Sequence, residues 1–527
     1  GRDLQWPGRR LRRAGRRGRE RAGRGLPADQ RVGHLWRELA LLGPELAIVA
    51  TLLSVLAVDV AWGGRPGRRG ALLLLAAVGL VVALGLVIAA PVATDRLLFG
   101  MMAADGFARF FRGLFLVSAL LAVAFAALSS EVAEHRTGEY LALVLTLTVG
   151  LSLLASAQHL LLVYLGIELV SVPSYVLAGF RRGDRASSEA ALKYVIFGGV
   201  ASGLMLYGLS WLYGLTGTLD LAAVGARLQA LGQGGWELRV LVAVAALGAF
   251  AGFAYKVAAV PFHMWCPDVY EGTPTPFVAF LSVAPKAAGL AALFRFFVVG
   301  FGGAPTWPAG ADFPWPLVLG LLSIATTTLG NVVAIVQDNV KRMLAYSSIA
   351  HAGYMLMAVA VGTEEGAATV MFYLAVYLLM NFGAFLAVIT VRERTGSEAI
   401  AAYRGLGATS PLVALCLAIF LFSLTGVPPF AGFLGKFYLF VSVLHTGQPF
   451  FALLAVVGAL NSAVSLYYYA RLLKVMYFEG PAAGAEPLPV AGGARALLAA
   501  LAVPTLVLGV YWAPLAELVA ASGGLGR

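Results

Sequence analysis

Long apolar stretches dominate this chain, and short polar segments separate them. Windows of about 20 apolar residues, the length that crosses the hydrocarbon core of a bilayer, recur throughout. They predict about fourteen spanning helices, which begin near Leu39, Ala71, Phe107, Gly138, His159, Ser187, Leu238, Thr275, Trp315, Arg342, Gly366, Ser410, Pro449 and Arg495. The connections between them are too short for a separate soluble domain. The pattern therefore predicts an all-α integral membrane protein.

Two of the predicted spans place proline and glycine beside a lysine. Residues 252–262 (GFAYKVAAVPF) contain Lys256, and residues 424–436 (LTGVPPFAGFLGK) end on Lys436. Proline removes an intrahelical hydrogen bond and collides with the preceding turn. In a bilayer, the freed carbonyls are tolerated only where they are buried or line a wet cavity. We therefore expect two broken helices, which in transporters built from repeats surround ion sites near the midplane.

The two breaks define the predicted domain organisation. We place them in two inverted five-helix repeats, at about residues 138–300 and 315–475, because an odd number of spans inverts the second unit. Together with the flanking spans these repeats form a polytopic membrane domain at 39–518. A basic extension at 1–38 precedes this domain, and a short tail at 519–527 follows it.

Composition agrees with a membrane protein. The chain is 60% hydrophobic and 12% charged, whereas soluble domains carry about 25% charged residues. The net charge of +11 lies largely in residues 1–38, which hold twelve arginines and four acids. The Arg/Gly-rich part has no apolar periodicity, so we expect a disordered, solvated extension rather than a nucleic-acid-binding arm. It also lacks the features of a signal peptide.

Charge in the loops predicts the orientation. If the spans are numbered from one to fourteen, the odd-numbered loops carry fifteen Lys and Arg residues and the even-numbered loops six. The positive-inside rule then makes the odd loops cytoplasmic and places both termini outside. The basic extension opposes this orientation, but the loop asymmetry comes from many independent segments.

The chain lacks the motifs of a redox or nucleotide-binding protein. Its two cysteines, Cys266 and Cys416, form no Cys-x-x-Cys, and its six histidines are scattered. No G-x-G-x-x-G or Walker A sequence occurs. We therefore expect no redox centre and no bound cofactor or metal in this chain.

Lysine is the unusual residue. The chain has only six lysines among its 38 basic residues, and four of them (Lys193, Lys256, Lys286 and Lys436) lie in predicted spans. A lysine at the bilayer centre costs about 2.5–3.5 kcal/mol. Unlike arginine, it can release its proton when desolvated. The lysines, with Glu168 as a buried carboxylate, therefore indicate proton transfer.

Five blocks resemble a known family and occur in its order: YLGIELVSVPSY (164–175), EAALKY (189–194), VPFHMWCPDVYEG (260–272) after Lys256, YSSIAHAGY (346–354) and GVPPFAGF (426–433) before Lys436. They resemble the antiporter-like subunits of proton-translocating NADH:quinone oxidoreductase, respiratory complex I. The sequence PDVY at 267–270 and the lysine at 436 are similar to subunit N rather than to the L and M subunits. Pro285 before Lys286, and Cys266, depart from the family pattern.

The resemblance implies roles for individual residues. Glu168 and Lys256 would form a buried ion pair whose separation favours release of the lysine proton, although a static structural pair is the alternative. Lys286 would be the central proton carrier, and Lys436 the last residue of the path.

Three further candidates are Lys193, His263 and His351. Glu189 lies four residues before Lys193, so that pair could simply stabilise its helix. Both imidazoles could relay protons, because histidine titrates near neutrality, or they could be packing residues.

The resemblance also implies an assembly. NADH, FMN, iron–sulfur clusters and quinone would bind to other subunits, and the neighbours would be the antiporter-like M subunit and a small K-type subunit in the cell inner (plasma) membrane. No nucleic acid is expected. One alternative function is a subunit of a multi-subunit sodium/proton antiporter. A membrane-embedded acyltransferase is another, because His263 and Asp268 spell H-x-x-x-x-D.

Overall fold

A computed structural model of the chain describes residues 38–92, 96–231, 235–302, 313–481 and 490–524. The basic extension predicted at 1–38 therefore lies outside the described residues, apart from Glu38. The chain divides into a unit of Gly1–Gly43 and a unit of Pro44–Arg527. In the described part of the first unit, a short helical stretch begins at Glu38, whose carbonyl accepts from the Leu42 amide.

Helices make up nearly all of the described structure. They are α1 (Gly43–Trp62), α2 (Arg68–Ala89), α3 (Gly106–Leu128), α4 (Thr137–Ser156), α5 (Leu160–Ala178), α6 (Arg185–Thr216), α7 (Leu221–Leu231), α8 (Trp236–Val257), α9 (Trp265–Gly272), α10 (Thr275–Gly300), α11 (Trp315–Ala334), α12 (Val340–Val361), α13 (Glu364–Thr395), α14 (Leu406–Thr409), α15 (Pro411–Thr425), α16 (Ala431–Leu444), α17 (Pro449–Tyr477), α18 (Gly492–Val510) and α19 (Ala513–Ser522). Short 3-10 helices occupy Glu134–Arg136 and Ile400–Tyr403. Two short antiparallel strands, β1 (Arg96–Leu97) and β2 (Met102–Ala103), form a hairpin in which Arg96 pairs with Ala103.

The predicted membrane fold is confirmed. Within the described residues, thirteen helices are long and apolar enough to cross a membrane. The shorter helices α15 and α16 follow each other where the remaining predicted span was expected. The helix that begins near Leu238 is also interrupted, because α8 stops at Val257 and α9 starts at Trp265. The chain is thus an all-α, multi-pass membrane protein with two broken helices.

Three helices form the centre of the bundle. The apolar window of α10 is entirely buried, and those of α12 and α13 are nearly so. In contrast, α1, α2, α6, α17 and α18 bury about a third of their windows or less. Many of their exposed side chains are apolar, as at Val60, Leu74 and Leu460, which suits contact with lipid or with other membrane proteins. Polar groups on α10, α12 and α13 are therefore shielded by the outer helices.

One backbone arrangement occurs in each of the two predicted repeat units. In the first, the amide of Leu160 donates to the carbonyl of Leu219, beside a bridge between His159 and Asp220. In the second, the amide of Val340 donates to the carbonyl of Glu398, beside a bridge between Asn339 and Ala399. The helices enclosed by these contacts, α6 and α13, each have 32 residues. Duplication and inversion of the units stay predictions.

Two of the six basic residues that were counted in the even-numbered loops, Arg112 and Arg295, are buried inside spanning helices. Arg295 is fully buried on α10, and its Nη2 atom lies 2.6 Å from Oδ1 of Asp105. Arg112 on α3 is also buried, and its Nε atom lies 2.8 Å from Oε1 of Glu45. Each arginine has an acidic partner that the sequence did not reveal, because the paired residues are far apart in the chain. The assignment of these two residues to loops was therefore wrong.

Candidate functional site

The first break places Lys256 at the end of a helix. The cap residue of α8, Ala258, has a φ of 59°, which turns the chain out of the helix. Trp265 fixes the break from the other side, because its Nε1 donates to the carbonyl of Tyr255 at 3.2 Å and its ring stacks on Tyr194. Lys256 thus lies in the last turn of α8, where the helix dipole favours a cation.

Lys256 is buried between α5, α8 and α10. Its Nζ atom donates to Oγ of Ser171 at 2.8 Å, and its side chain is 1% exposed. A Cβ added to Gly289 would lie 3.1 Å from the lysine Cγ, so this glycine permits the close approach of α10. Since Gly289 follows Lys286 by about one helical turn, the structure brings Lys256 close to the helix of the central lysine.

Glu168 and Lys256 are not in direct contact, contrary to the ion pair that the resemblance implied. The Glu168 carboxylate accepts instead from the Ser202 hydroxyl of α6. Both residues of the implied pair are present, but Glu168 is only half-buried and lies on the outer stripe of α5, with Leu165 and Val172. Ser171, three residues after Glu168 on α5, is buried and accepts the hydrogen bond from Lys256. Glu168 and Lys256 thus have different hydroxyl partners, Ser202 and Ser171.

Lys286 lies on the most deeply buried helix of the bundle. Its Nζ atom is 2.5 Å from Oγ of Ser348 on α12, and the ring of Tyr270 lies 5.9 Å from the same nitrogen. The Tyr270 hydroxyl is in turn 3.3 Å from the Ser348 oxygen. The helix α10 runs without interruption through Pro285. Lys286 forms no ion pair with any described residue, and its hydrogen-bond partner is the Ser348 hydroxyl.

His351 continues this polar line along α12. It follows Ser348 by three residues and therefore lies on the same helix face. Its Nδ1 atom is 2.5 Å from the hydroxyl of Tyr373 on α13, and it is 2% exposed. The Tyr377 ring lies 5.1 Å from the imidazole. His351 is thus enclosed by aromatic side chains, with a tyrosine hydroxyl as a hydrogen-bond partner.

The second break places Lys436 after the interruption. Helix α15 ends at Thr425, Gly426 caps it with a φ of 88°, and α16 begins at Ala431. The lysine Nζ donates to the carbonyl of Thr425 at 2.8 Å and to Oγ of Ser462 at 2.9 Å. As at Lys256, an amine occupies the negative end of a half-helix.

A cavity of about 340 Å³ adjoins Lys436. The aromatic residues Phe433, Phe437 and Phe440 contribute to its wall. On the inner side, the lysine nitrogen lies 4.7 Å from the ring of Tyr354, which is three residues after His351 on α12. Lys436 therefore connects the buried polar line with an open space at the edge of the bundle.

Lys193 lies apart from this line. Its side chain is 36% exposed, and its Nζ atom is 2.7 Å from Glu189 and 2.5 Å from Asp268. The contact with Glu189 was expected from the sequence, but the contact with Asp268 was not. Arg342 binds the other carboxylate oxygen of Asp268 at 2.6 Å. Lys193 is thus held in an ion-pair cluster.

His263 is half-buried in the first break and does not join the other candidates. Its backbone carbonyl accepts from the Cys266 amide at 3.0 Å. The carboxylate of Asp268 is occupied by Lys193 and Arg342. The H-x-x-x-x-D pattern therefore lacks the paired histidine and aspartate that acyl transfer would need. Among the described residues, no group of His, Cys, Asp or Glu could hold a metal ion.

The hydroxyl groups that contact the amines and the imidazole were not identified from the sequence. Ser171, Ser348, Tyr373 and Ser462 each lie within 2.9 Å of a candidate residue. Ser171 and Ser348 fall inside the blocks that carry the family resemblance. Helical spacing could have indicated Ser348, because it shares a face with His351. Serines from distant spans give no such signal.

Comparison with known proteins shows which family shares this arrangement. Residues 157–462 match the family model described as NADH:quinone oxidoreductase/Mrp antiporter, TM. NADH-quinone oxidoreductase subunit N of Anaeromyxobacter sp. is 48% identical over 498 residues, which cover 92% of this chain and 96% of that protein. Subunit N 2 of Sorangium cellulosum is 49% identical over 498 residues, covering 93% and 98%.

Solved structures share the fold. A chain of respiratory complex I from Thermus thermophilus with bound aureothin has a TM-score of 0.75 and 33% identity, covering 91% of this chain and 99% of that chain. A chain of the Mrp complex from Dietzia sp. has a TM-score of 0.73 at 24% identity, covering 92% and 97%. The second likeness concerns the fold alone.

Proposed function

Because this chain belongs to the NADH-quinone oxidoreductase subunit N family, the antiporter-like membrane subunits of complex I, we propose that it moves protons along Lys256, Lys286, His351 and Lys436. Glu168 modulates the first of these residues from a distance. The amines and the imidazole take up and release protons, and hydroxyl groups connect them. Lys193 and His263 stand outside this path.

The observation that carries the proposal is the chemistry around Lys286. Its nitrogen meets Ser348 at 2.5 Å, and no described carboxylate forms an ion pair with it. A buried ammonium without a counterion is costly, whereas a buried neutral amine with a hydroxyl partner is not. The site thus favours a residue that alternates between two protonation states over one that stays charged.

The route follows the helices of the core. A proton reaches Lys256 at the first break and passes to Lys286, whose helix approaches Lys256 at Gly289. It continues past Ser348 to His351 and then to Lys436, two residues that both lie against the ring of Tyr354. The cavity at Lys436 is the place from which the proton leaves.

The driving energy comes from elsewhere in the assembly. NADH, FMN, the iron–sulfur clusters and quinone bind to other subunits, and quinone reduction there shifts the charged residues of this chain. An antiporter-like M subunit and a small K-type subunit are the neighbours. The membrane is the cell inner (plasma) membrane, with both termini outside.

Replacement of the central lysine tests the proposal. In Lys286→Ala, proton pumping by the assembled complex should fall about 100-fold, as for loss of a general acid–base group. Acidification coupled to NADH oxidation is measured in membrane vesicles, and the amount of assembled complex is measured in parallel. Lys474→Ala removes an exposed lysine near the end of α17 and should pump normally.

Full pumping by assembled Lys286→Ala would refute the central role of this residue. Sodium-dependent exchange by the purified assembly without NADH oxidation would instead favour a sodium/proton antiporter subunit. Copurification of this chain with flavin and iron–sulfur subunits would favour the proposed assembly.

A further inference from the structure

The short helix α9, which follows the first break, is held by cations at its C-terminal end. Lys341 donates to the carbonyls of Glu271 at 3.1 Å and Thr273 at 2.8 Å, and Arg181 donates to the carbonyl of Gly272 at 2.9 Å. The last carbonyls of a helix lack intrahelical partners, and the helix dipole is negative there. These two cations therefore satisfy the end of α9.

Asp268 anchors the side of the same helix. Its two carboxylate oxygens bind different partners: Lys193 on α6 at 2.5 Å and Arg342 on α12 at 2.6 Å. Arg342 also binds Glu271 at 2.7 Å, but the ion-pair partners of Lys193 are Glu189 and Asp268 and do not include Glu271. Asp268 is thus the residue through which α6 and α12 are both attached to α9 by charge.

The anchored helix carries a contact of the proposed proton path. Tyr270, two residues after Asp268, places its hydroxyl 3.3 Å from the Ser348 oxygen that binds Lys286. Gly272 packs so tightly on α6 that an added Cβ would lie 2.3 Å from the carbonyl of Ala186. A shift of α9 would therefore be transmitted to the partners of Lys286.

We propose that Asp268 is a positioning residue for proton transfer at Lys286, and that Lys193 serves as the fixed positive charge that holds Asp268 and not as a proton carrier. This inference rests on the proposed function. It gives the ion-pair cluster of Lys193, Asp268 and Arg342 a positioning role. The buried lysines, which have hydroxyl and carbonyl partners, are the proton carriers.

The size of α9 explains why these contacts matter. It has 8 residues, and helices much shorter than about 12 residues have little stability of their own. Each ion pair is partly exposed and contributes modestly. Two pairs on one carboxylate, together with the capped carbonyls, nevertheless fix the helix in one position, and misplacement of a reacting group by about 1 Å can cost about 100-fold in rate.

Substitutions of Lys193 distinguish between its two possible roles, a fixed charge and a proton carrier. Arginine keeps the positive charge and can bind Asp268, but it does not release its proton. Lys193→Arg should therefore keep at least about half of the wild-type pumping rate. Lys193→Met removes the charge and should lower pumping at least about fivefold. If Lys193→Arg is as impaired as Lys193→Met while the complex assembles, the inference is wrong and Lys193 is a carrier.

Substitution of Asp268 tests the link to Lys286. Asp268→Asn should lower coupled pumping about tenfold and raise the solvent deuterium isotope effect on turnover, because proton transfer at Lys286 becomes slower than the other steps. Glu271→Gln, which also loses a contact with Arg342, is the matched control and should keep both values. A lower rate with an unchanged isotope effect would indicate a merely structural role and would overturn the inference.

Lys286→Ala in the same membranes distinguishes the two proposals. If Lys286→Ala pumps fully, the proposed function fails whatever the Lys193 variants do. If Lys286→Ala loses pumping and Lys193→Arg also loses it, only the role of Lys193 and Asp268 is refuted.

Discussion

The two broken helices present their lysines in opposite ways. At the first break, Lys256 precedes the interruption and is packed against Ser171 and Gly289. At the second, Lys436 follows the interruption and adjoins a cavity of about 340 Å³. The same combination of proline, glycine and lysine therefore yields an enclosed amine in one case and an amine with access to an open space in the other.

The surroundings of the breaks differ as well. At the first break, the charged residues Asp268 and Lys341 hold the helix that follows it, α9. At the second break, the backbone of α18 packs closely on the chain, because a Cβ added to Gly509 would lie 1.8 Å from the carbonyl of Pro429. An interruption in a membrane helix must be supported from outside, and either ion pairs or close packing can provide that support.

The largest expected effect comes from arginine at each lysine of the breaks. Arginine stays charged, so Lys256→Arg and Lys436→Arg should both lower pumping about 100-fold. The cavity can accept the larger side chain at 436, and this variant should assemble at the wild-type level. Lys256→Arg should also reduce assembly, because its site is fully packed. Pumping is measured in vesicles and assembly by the yield of intact complex.

Equal assembly of the two arginine variants would contradict the difference in packing. Retained pumping by Lys436→Arg would contradict the exit role of that lysine. Lys474→Arg, at an exposed position of α17, is the control for both measurements.

The next effect concerns the packing support of the second break. Gly509→Val places a branched side chain where even a Cβ collides with Pro429, so it should destabilise the chain by about 3 kcal/mol. The matched control is Gly85→Val on α2, where nothing lies within 4 Å of an added Cβ. The apparent melting temperature of the purified complex is compared. Equal melting temperatures would show that α18 does not support the break.

The sequence was sufficient to predict the spans and both breaks. A span is specified by local hydrophobicity over about 20 residues, and a break by proline and glycine within it. Lys256, Lys286 and Lys436 were identified for the same local reason, since a lysine in an apolar run is conspicuous. The start and length of α9 were not predicted, because its tertiary partners, such as Lys341, stabilise it.

The contacts of the site could not be predicted in the same way. Ser171 and Lys256 are 85 residues apart, and Lys193 and Asp268 are 75 residues apart. Which side chains meet depends on how the helices are rotated, and one buried serine in an apolar span resembles another. The expected pair of Glu168 and Lys256 was wrong as a direct contact for this reason.

A smaller effect is expected from Glu131, whose partner Arg181 also binds the last carbonyl of α9. Glu131 accepts from the amide of Thr275 at 2.9 Å, at the start of α10, and lies 3.4 Å from both Arg181 and Arg392. Glu131→Gln should destabilise the chain by about 2 kcal/mol. Exposed Glu134 provides the control, Glu134→Gln. The melting temperature of the complex is measured at neutral pH.

The pH dependence of the same residue gives a second measurement. Burial raises the pKa of Glu131, but Lys341, Arg392 and the hydrogen bond from the Thr275 amide lower it more, so the pKa lies below its ordinary value of 4.5. Its contribution is therefore fully present above pH 4.5 and is lost as the pH falls through the lower folded pKa. The melting difference between wild type and Glu131→Gln should shrink in that acidic range. A difference independent of pH would show that charge is not the cause.

The smallest effect concerns the cap residues that turn the chain at each break. Ala258 has a φ of 59° and Gly426 a φ of 88°, in the region that costs a non-glycine residue about 1 kcal/mol. Gly426→Ala should therefore lower stability by about that amount and slow pumping a few fold, because the added Cβ would lie 2.9 Å from Cδ of Lys436. Ala258→Gly removes the same strain but increases the freedom of the unfolded chain, so it should raise stability by about 0.5 kcal/mol or less and leave pumping unchanged. The two substitutions are the reverse of each other, made at helix caps that both have a positive φ. A melting temperature or a pumping rate that changes in the same direction in both variants would therefore contradict this account.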